Sequence, residues 1–155
     1  MIVWGGQGDG IDHDTGGIYD DPGFFPPSPT DMYTLTPCRV ADTRSPIGPS
    51  GGPALGANTT RTFPVAGICG VPSTAIAVAI NVTVVNATDL GNLRVYPAGG
   101  GTPGASTINF TVNKVRANNA VIPLGTGGEI GVRCDMPAGS TGQTDFLFDV
   151  SGYFE

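Results

Sequence analysis

Three cysteines, one histidine and thirteen acidic residues are the side chains in this 155-residue chain that could do chemistry. A bridge between Cys38 and Cys69, 31 residues apart, would close a sizeable loop, stabilise by roughly 2–4 kcal/mol and persist outside the cytosol. That is the pairing we expect, with Cys134 left over as a buried, inert thiol or an intermolecular bridge. Cys38–Cys134 and Cys69–Cys134 stay open from the sequence. Zinc is a poor fit, because no Cys pair has C-x-x-C spacing and His13 is the only imidazole. A Ser-His-Asp or Cys-His site would also have to use His13, which sits in a polar segment without a nucleophile-elbow motif. Two carboxylates could hydrolyse a glycoside, but no aromatic cluster flanks any acid of the main body. The sequence therefore reads as a non-enzyme.

The run Asp9, Asp12, Asp14, interleaved with Gly, could wrap carboxylate and carbonyl oxygens around calcium. It lacks the full twelve-residue loop and its bidentate Glu. A polar hairpin turn, with Asp and Gly supplying the turn chemistry, accounts for it better. No other cofactor is suggested.

Around these residues the elements are strands. No window of about 12 residues keeps helical apolar spacing without a Gly or Pro. In Ala75–Val85, Ile76, Val78, Ile80, Val82 and Val84 alternate with Ala77, Ala79, Asn81 and Thr83. The large β-branched set is expected to face a core. In Thr144–Tyr153, Phe146, Phe148 and Val150 share one side, with Leu147, Asp149 and Ser151 on the other. Weaker strands are expected at 38–43, 61–65, 92–96, 107–112, 117–124 and 129–133. The 25 Gly and 14 Pro fall largely between them as turn punctuation. The fold class is all-β: an antiparallel β-sandwich or jelly-roll-like domain at 32–155, preceded by an extended N-terminal arm and Pro-rich connector at 1–31. With 39% apolar and 13% charged residues, disorder is a poor description of this chain.

The net charge of −6, with seven Lys and Arg, offers no basic stripe for nucleic acid and disfavours an anionic membrane surface. No apolar run reaches the roughly 18 residues that span a bilayer. The N-terminus lacks the basic and apolar regions of a signal peptide.

Cys38-Arg-Val-Ala-Asp-Thr-Arg44, Gly67-Ile-Cys-Gly-Val-Pro72, Ala79-Ile-Asn-Val-Thr-Val84 and Leu93-Arg-Val-Tyr-Pro97 follow one another. Ser106-Thr-Ile-Asn109, Arg116-Ala-Asn-Asn-Ala-Val-Ile-Pro123 and Asp149-Val-Ser-Gly-Tyr-Phe154 continue the series. Together, over about residues 33–154, they resemble a β-sandwich module that recurs in large exported bacterial surface proteins. The resemblance implies an extracellular or cell-surface accessory unit, and it implies no catalytic role. Met1-Ile-Val-Trp-Gly-Gly and Thr15-Gly-Gly-Ile-Tyr19 resemble two strands of a kelch-type repeat. A propeller is excluded, since a blade needs about 50 residues and several blades must stack.

Asp42, Arg44, Asn81, Asn109, Arg116, Asn118 and Asp149 are polar residues in strand-like contexts. They are expected to form a structural network, with Arg44 or Arg116 pairing Asp42 or Asp149, rather than a ligand groove. The N-x-T triplets at Asn58, Asn81, Asn86 and Asn109 read as strand composition rather than glycosylation. Two partners follow. Ile2, Val3, Trp4, Ile18 and Tyr19 are short β segments with too few partners in their own arm. They could add to the sheet edge of a second copy and, repeated head to tail, build a filament, or equally fold back to cover the edge of their own domain. The competing partner is a cell-surface glycan on a face carrying Tyr33, Tyr96 and Tyr153, as in a carbohydrate-binding module of a secreted enzyme.

Overall fold

The computed structural model describes residues 30–155. The assembly arm Ile2, Val3, Trp4, Ile18 and Tyr19, and the acidic run Asp9, Asp12 and Asp14, lie outside the described residues.

Nine strands follow in order: β1 Met32–Asp42, β2 Leu55–Gly56, β3 Thr60–Pro64, β4 Ala77–Val85, β5 Gly91–Pro97, β6 Ile108–Phe110, β7 Arg116–Pro123, β8 Glu129–Asp135 and β9 Gln143–Phe154. They form two antiparallel sheets. The first runs β1-β9-β4-β7, with β2 also pairing β9, and the second runs β3-β8-β5-β6. The pairs β1–β9, β3–β8, β4–β7 and β5–β6 are nested one inside the next. The chain is in effect one long hairpin wrapped into two layers, which is the jelly roll.

Alternation builds the core as the sequence leads one to expect. In β4, Val78, Ile80, Val82 and Val84 are buried between the sheets. In β9, Phe146, Phe148 and Val150 join them. The second sheet answers with Phe63, Leu93, Val95, Ile130 and Val132. Turns are placed by residues that tolerate positive φ: Asn58 at 59° and Asn86 at 55° occupy the left-handed region, which Asn adopts more readily than most residues. Two of the N-x-T triplets thus begin at turns.

Ile76 departs from the expected pattern. The strand begins one residue later, and Ile76 lies 51% exposed beside Leu124 and the glycines of 125–128, in an open notch at the end of the sandwich. Its position continues the inward alternation, but nothing covers it there. The strand expected at 38–43 is longer, starting at Met32, and the one expected at 107–112 shrinks to Ile108–Phe110.

Candidate functional site

Cys38 of β1 is joined to Cys69, whose Cα lies 5.7 Å away. Cys69 sits in the loop after β3 with φ at 56°. The bridge therefore ties the edge strand of the first sheet to a loop extending from the second. Cys134 of β8 is free and fully buried in the core. Burial pushes its thiol up to about 11, so almost no nucleophilic thiolate exists at neutral pH.

The polar residues of the first sheet fall into rows across its outer face. Arg39 stands opposite Asp149, Asp149 opposite Asn81, and Asn81 opposite Asn119. Arg39 grips Asp149 with two parallel bonds, Nε to Oδ1 at 2.7 Å and Nη2 to Oδ2 at 3.0 Å. Its Nη1 donates to Asp42 at 3.3 Å. Asp42 also accepts from Arg44 at Nε (2.9 Å), Nη2 (2.6 Å) and the backbone N–H (3.1 Å). The Arg44 hydrogen bonds hold the Asp42 carboxyl at about 2, below the ordinary 3.8. Both oxygens of each carboxylate are engaged, so neither is placed to act as a base or nucleophile. The cluster instead pins the turn that follows β1 against β9. Asp149 is thus paired by Arg39, not by Arg44 or Arg116. Arg116 is exposed and makes no ion pair among the described residues. Asn81 donates to Thr83 at 3.1 Å and Asn118 to the Thr107 carbonyl at 2.7 Å, while Asn109 points outward on β6.

A folded pKa depressed below the unfolded value stabilises fully above the unfolded value and is lost as pH falls through the folded one. Wild-type stability is therefore expected to decline between about pH 4 and pH 2, and Asp42→Asn should shallow that decline. Urea unfolding midpoints at pH 5, 4, 3 and 2 read the difference. Parallel curves for the two proteins would remove Asp42 from the account.

A second cluster, missed from the sequence, lies on the outer face of the other sheet. Asp135 accepts from Arg94 Nε at 2.6 Å and from Arg133 Nε at 2.8 Å. Burial raises its carboxyl pKa, but the two arginines outweigh this and leave it below the usual range. Register alone could have revealed it, because Arg94 and Arg133 are opposed on β5 and β8.

The three tyrosines do not share a face. Tyr33 and Tyr153 stack on the first sheet, with centroids 5.1 Å apart at 16°. Tyr96 belongs to the second sheet and is only 8% exposed. Its ring lies flat over Gly131, where a Cβ would come within 3.0 Å, and its hydroxyl accepts from Thr102. The expected aromatic ligand face is therefore not formed.

The remaining feature is an edge. The first sheet ends in β1 on one side and β7 on the other. Edge strands are ordinarily blunted by brevity, proline, charge or bulges. β6 has three residues and β3 has five, ending in Pro64. β1 is broken by two register shifts and held by the disulfide. β7 runs for eight residues, and its stretch Ala117–Ile122 contains neither charge nor proline. Beside it, Ala79, Ile80, Asn119, Ala120, Val121 and Ser151 line a shallow apolar hollow in the outer face.

Fold and site together define a jelly-roll β-sandwich stapled by one disulfide, with one long unprotected sheet edge. No family model matches the sequence, and no curated protein matches it. Similar solved structures include the Tobacco streak virus coat protein in a C2 crystal form. It is 16% identical at a TM-score of 0.36, and the match covers 82% of this chain and 89% of that one. A coat protein dimer of the same virus is 15% identical at a TM-score of 0.38, covering 83% and 89%.

Proposed function

We propose that the chain is a non-catalytic structural and adhesive module of the cell exterior, which assembles head to tail by lending its N-terminal arm to the sheet of a neighbouring copy. One observation carries this reading: the first sheet meets the arm at one edge and leaves the opposite edge open. Asp31 and Glu155 exchange backbone hydrogen bonds at 3.0 and 3.1 Å, so the chain joins the sheet in line with β1. Three strands away, β7 has no strand partner on its outer side among the described residues. Donor and acceptor are thus different surfaces of one molecule. Such a heterologous contact closes into a ring only if the rotation allows, and otherwise extends as a filament. Pairing by strand addition also suits an arm whose Ile2-Val-Trp and Ile18-Tyr segments are β-prone and short.

The chemistry of the domain favours the same reading over an enzyme. Asp42, Asp149 and Asp135 are each taken up by arginines. Among the described residues, no group of three or more His, Cys, Asp and Glu is placed to hold a metal. The disulfide fits an oxidising exterior, as does the resemblance to exported bacterial surface modules. The carbohydrate-binding alternative loses its main support with the dispersal of Tyr33, Tyr96 and Tyr153.

Negative-stain microscopy and sedimentation of the full chain against a version lacking residues 1–22 test the proposal. Fibres or large oligomers from the full chain, with a monomeric truncated form, are expected. Two monomers would overturn it and return attention to glycans on the exposed sheet.

A further inference from the structure

The hollow beside β7 has a shape and chemistry of its own. Across the outer face, Gly152, Ala79 and Val121 form one row, and Asp149, Asn81 and Asn119 the next. The first row is made of small residues except at its edge. Between the rows, β9 carries one extra residue, because Ala79 pairs with Gly152 while Ile80 pairs with Val150. Ser151 is that residue, and its hydroxyl reaches only the Ala79 carbonyl, at 3.4 Å. The result is an apolar floor at Ala79 with Val121 as one wall and the polar side chains of Asn119 and Ser151 at the rim. Val121 is 58% exposed, so part of a large apolar side chain remains to be covered.

A floor without polar groups and a rim with them suit a flat aromatic ring that carries one N–H donor. Two side chains fit that description, Trp4 and His13, and of these Trp4 has the larger apolar face. Trp4 is the chain's only tryptophan, and it lies in the segment whose type and position already suggest an added strand. In an extended Ile2-Val3-Trp4, Ile2 and Trp4 point to one face and Val3 to the other. Laid along β7, such a strand places Ile2 and Trp4 on the outer face beside Val121 and Asn119. Val3 then falls on the inner side with Ala120 and Ile122. An aromatic side chain reaches its cross-strand and diagonal neighbours at about 5–8 Å.

Resting on the assembly reading above, we propose that this hollow is the receptor for Trp4 of a second copy, with residues 2–4 added as a further strand along β7. The reach is ample. Twenty-six residues separate Trp4 from Thr30, a contour of roughly 90 Å at full extension, whereas the four strands of the sheet span only about 14 Å. The same reach would serve the chain's own β7, so the arm folded onto its own domain is one outcome of the experiment.

Because Trp4 is the only tryptophan, fluorescence excited at wavelengths the four tyrosines scarcely absorb reports on it. Assembled wild type should show blue-shifted emission and several-fold weaker acrylamide quenching than the same chain diluted to monomer. Val121→Lys keeps an exposed position exposed, and Trp4→Ser changes a residue that precedes the strands of the sandwich in sequence. Both should sediment as monomers with unchanged circular dichroism, and Val121→Lys should return Trp4 to solvent. Leu90→Lys, at a position 56% exposed in the turn before β5, should assemble as wild type does. If Val121→Lys still assembles with Trp4 shielded, the receptor lies elsewhere while assembly itself stands. If wild type never assembles, both readings fall. If Trp4 is shielded in a monomer at every dilution, the arm folds onto its own domain, and exchange between copies is wrong.

Discussion

Replacing Phe146 by Ala is expected to cost the sandwich about 3–5 kcal/mol, the range for truncating a buried Phe. Domains of this size are stable by roughly 5–15 kcal/mol, so the loss is a large fraction of the total. Phe146 is the fourth residue of β9, fully buried. Its ring faces Phe63 of the opposite sheet with centroids 5.2 Å apart, and Phe148 beside it at 6.3 Å. The side chain therefore spans the two layers, and removing it opens a void that neither sheet can close alone. Its backbone also receives the turn after β1: its N–H donates to Thr43 Oγ1 at 2.9 Å, and its carbonyl accepts from the Thr43 N–H at 3.0 Å. Val121→Ala, a change of one exposed side chain, should stay within about 0.5 kcal/mol. Urea unfolding of both variants makes the comparison. A cost below about 1 kcal/mol for Phe146→Ala would mean that the sheets relax into the void, and that Phe63 and Phe148 rather than Phe146 hold them together.

The strands most legible in the sequence were those with two different faces. β4, and β9 apart from the buried Leu147, alternate between large apolar residues and small or polar ones because one face meets the core and the other does not. The two-residue β2 carries no period to read. The first half of β1 was hidden for another reason: between Thr34 and Cys38 its register shifts, so Leu35-Thr-Pro37 breaks any alternation. Ile76 continues the period of β4 yet lies exposed, because periodicity reports one strand and not where the opposite sheet stops.

Sites suffered more than strands did. Asp42 and Asp149 stood out as polar residues in apolar surroundings, yet Arg39 did not, and it joins them. Its partner lies 110 residues away, and only the β1–β9 register brings the two together. Residue type alone does not separate Tyr96 from Tyr33 and Tyr153, because sheet membership and the space left by Gly131 decide where Tyr96 goes. The hollow at Val121 depends on one inserted residue in β9, which no residue type announces.

Removing the Cys38–Cys69 bridge with the double variant Cys38→Ala/Cys69→Ala is expected to destabilise the domain by roughly 3–4 kcal/mol, the loop-closure value for about 31 residues. The bridge stands where β1 needs it most. Cys38 is the first residue to regain register after the irregular stretch 35–37, so without the link the end at which the arm enters is held by the pairing of the preceding segment to Glu155, Phe154, Tyr153 and Gly152. In the assembly proposed above, any pull from a neighbouring copy arrives through that segment, and the covalent tie passes it to the loop after β3. The double variant is a cleaner test than either single one, since a lone Cys38 or Cys69 could bridge between chains. Cys134 is buried and largely protonated in the folded domain, but unfolding exposes it to exchange, so the reference and the variant both carry Cys134→Ala. Denaturant unfolding of the variant against that oxidised reference measures the loss. A cost under about 1 kcal/mol would show that the loop is already ordered without the bridge. The hydrogen bonds Gly67 N–H to Val71 O at 2.8 Å and Val71 N–H to Ile68 O at 3.0 Å would then be sufficient to fix it. In that case the β1–β9 ladder and the buried Val40 and Ala41 already hold β1, and Arg39→Ala in the bridge-free background measures what the part-exposed Arg39–Asp149 pair adds, about 1 kcal/mol or less.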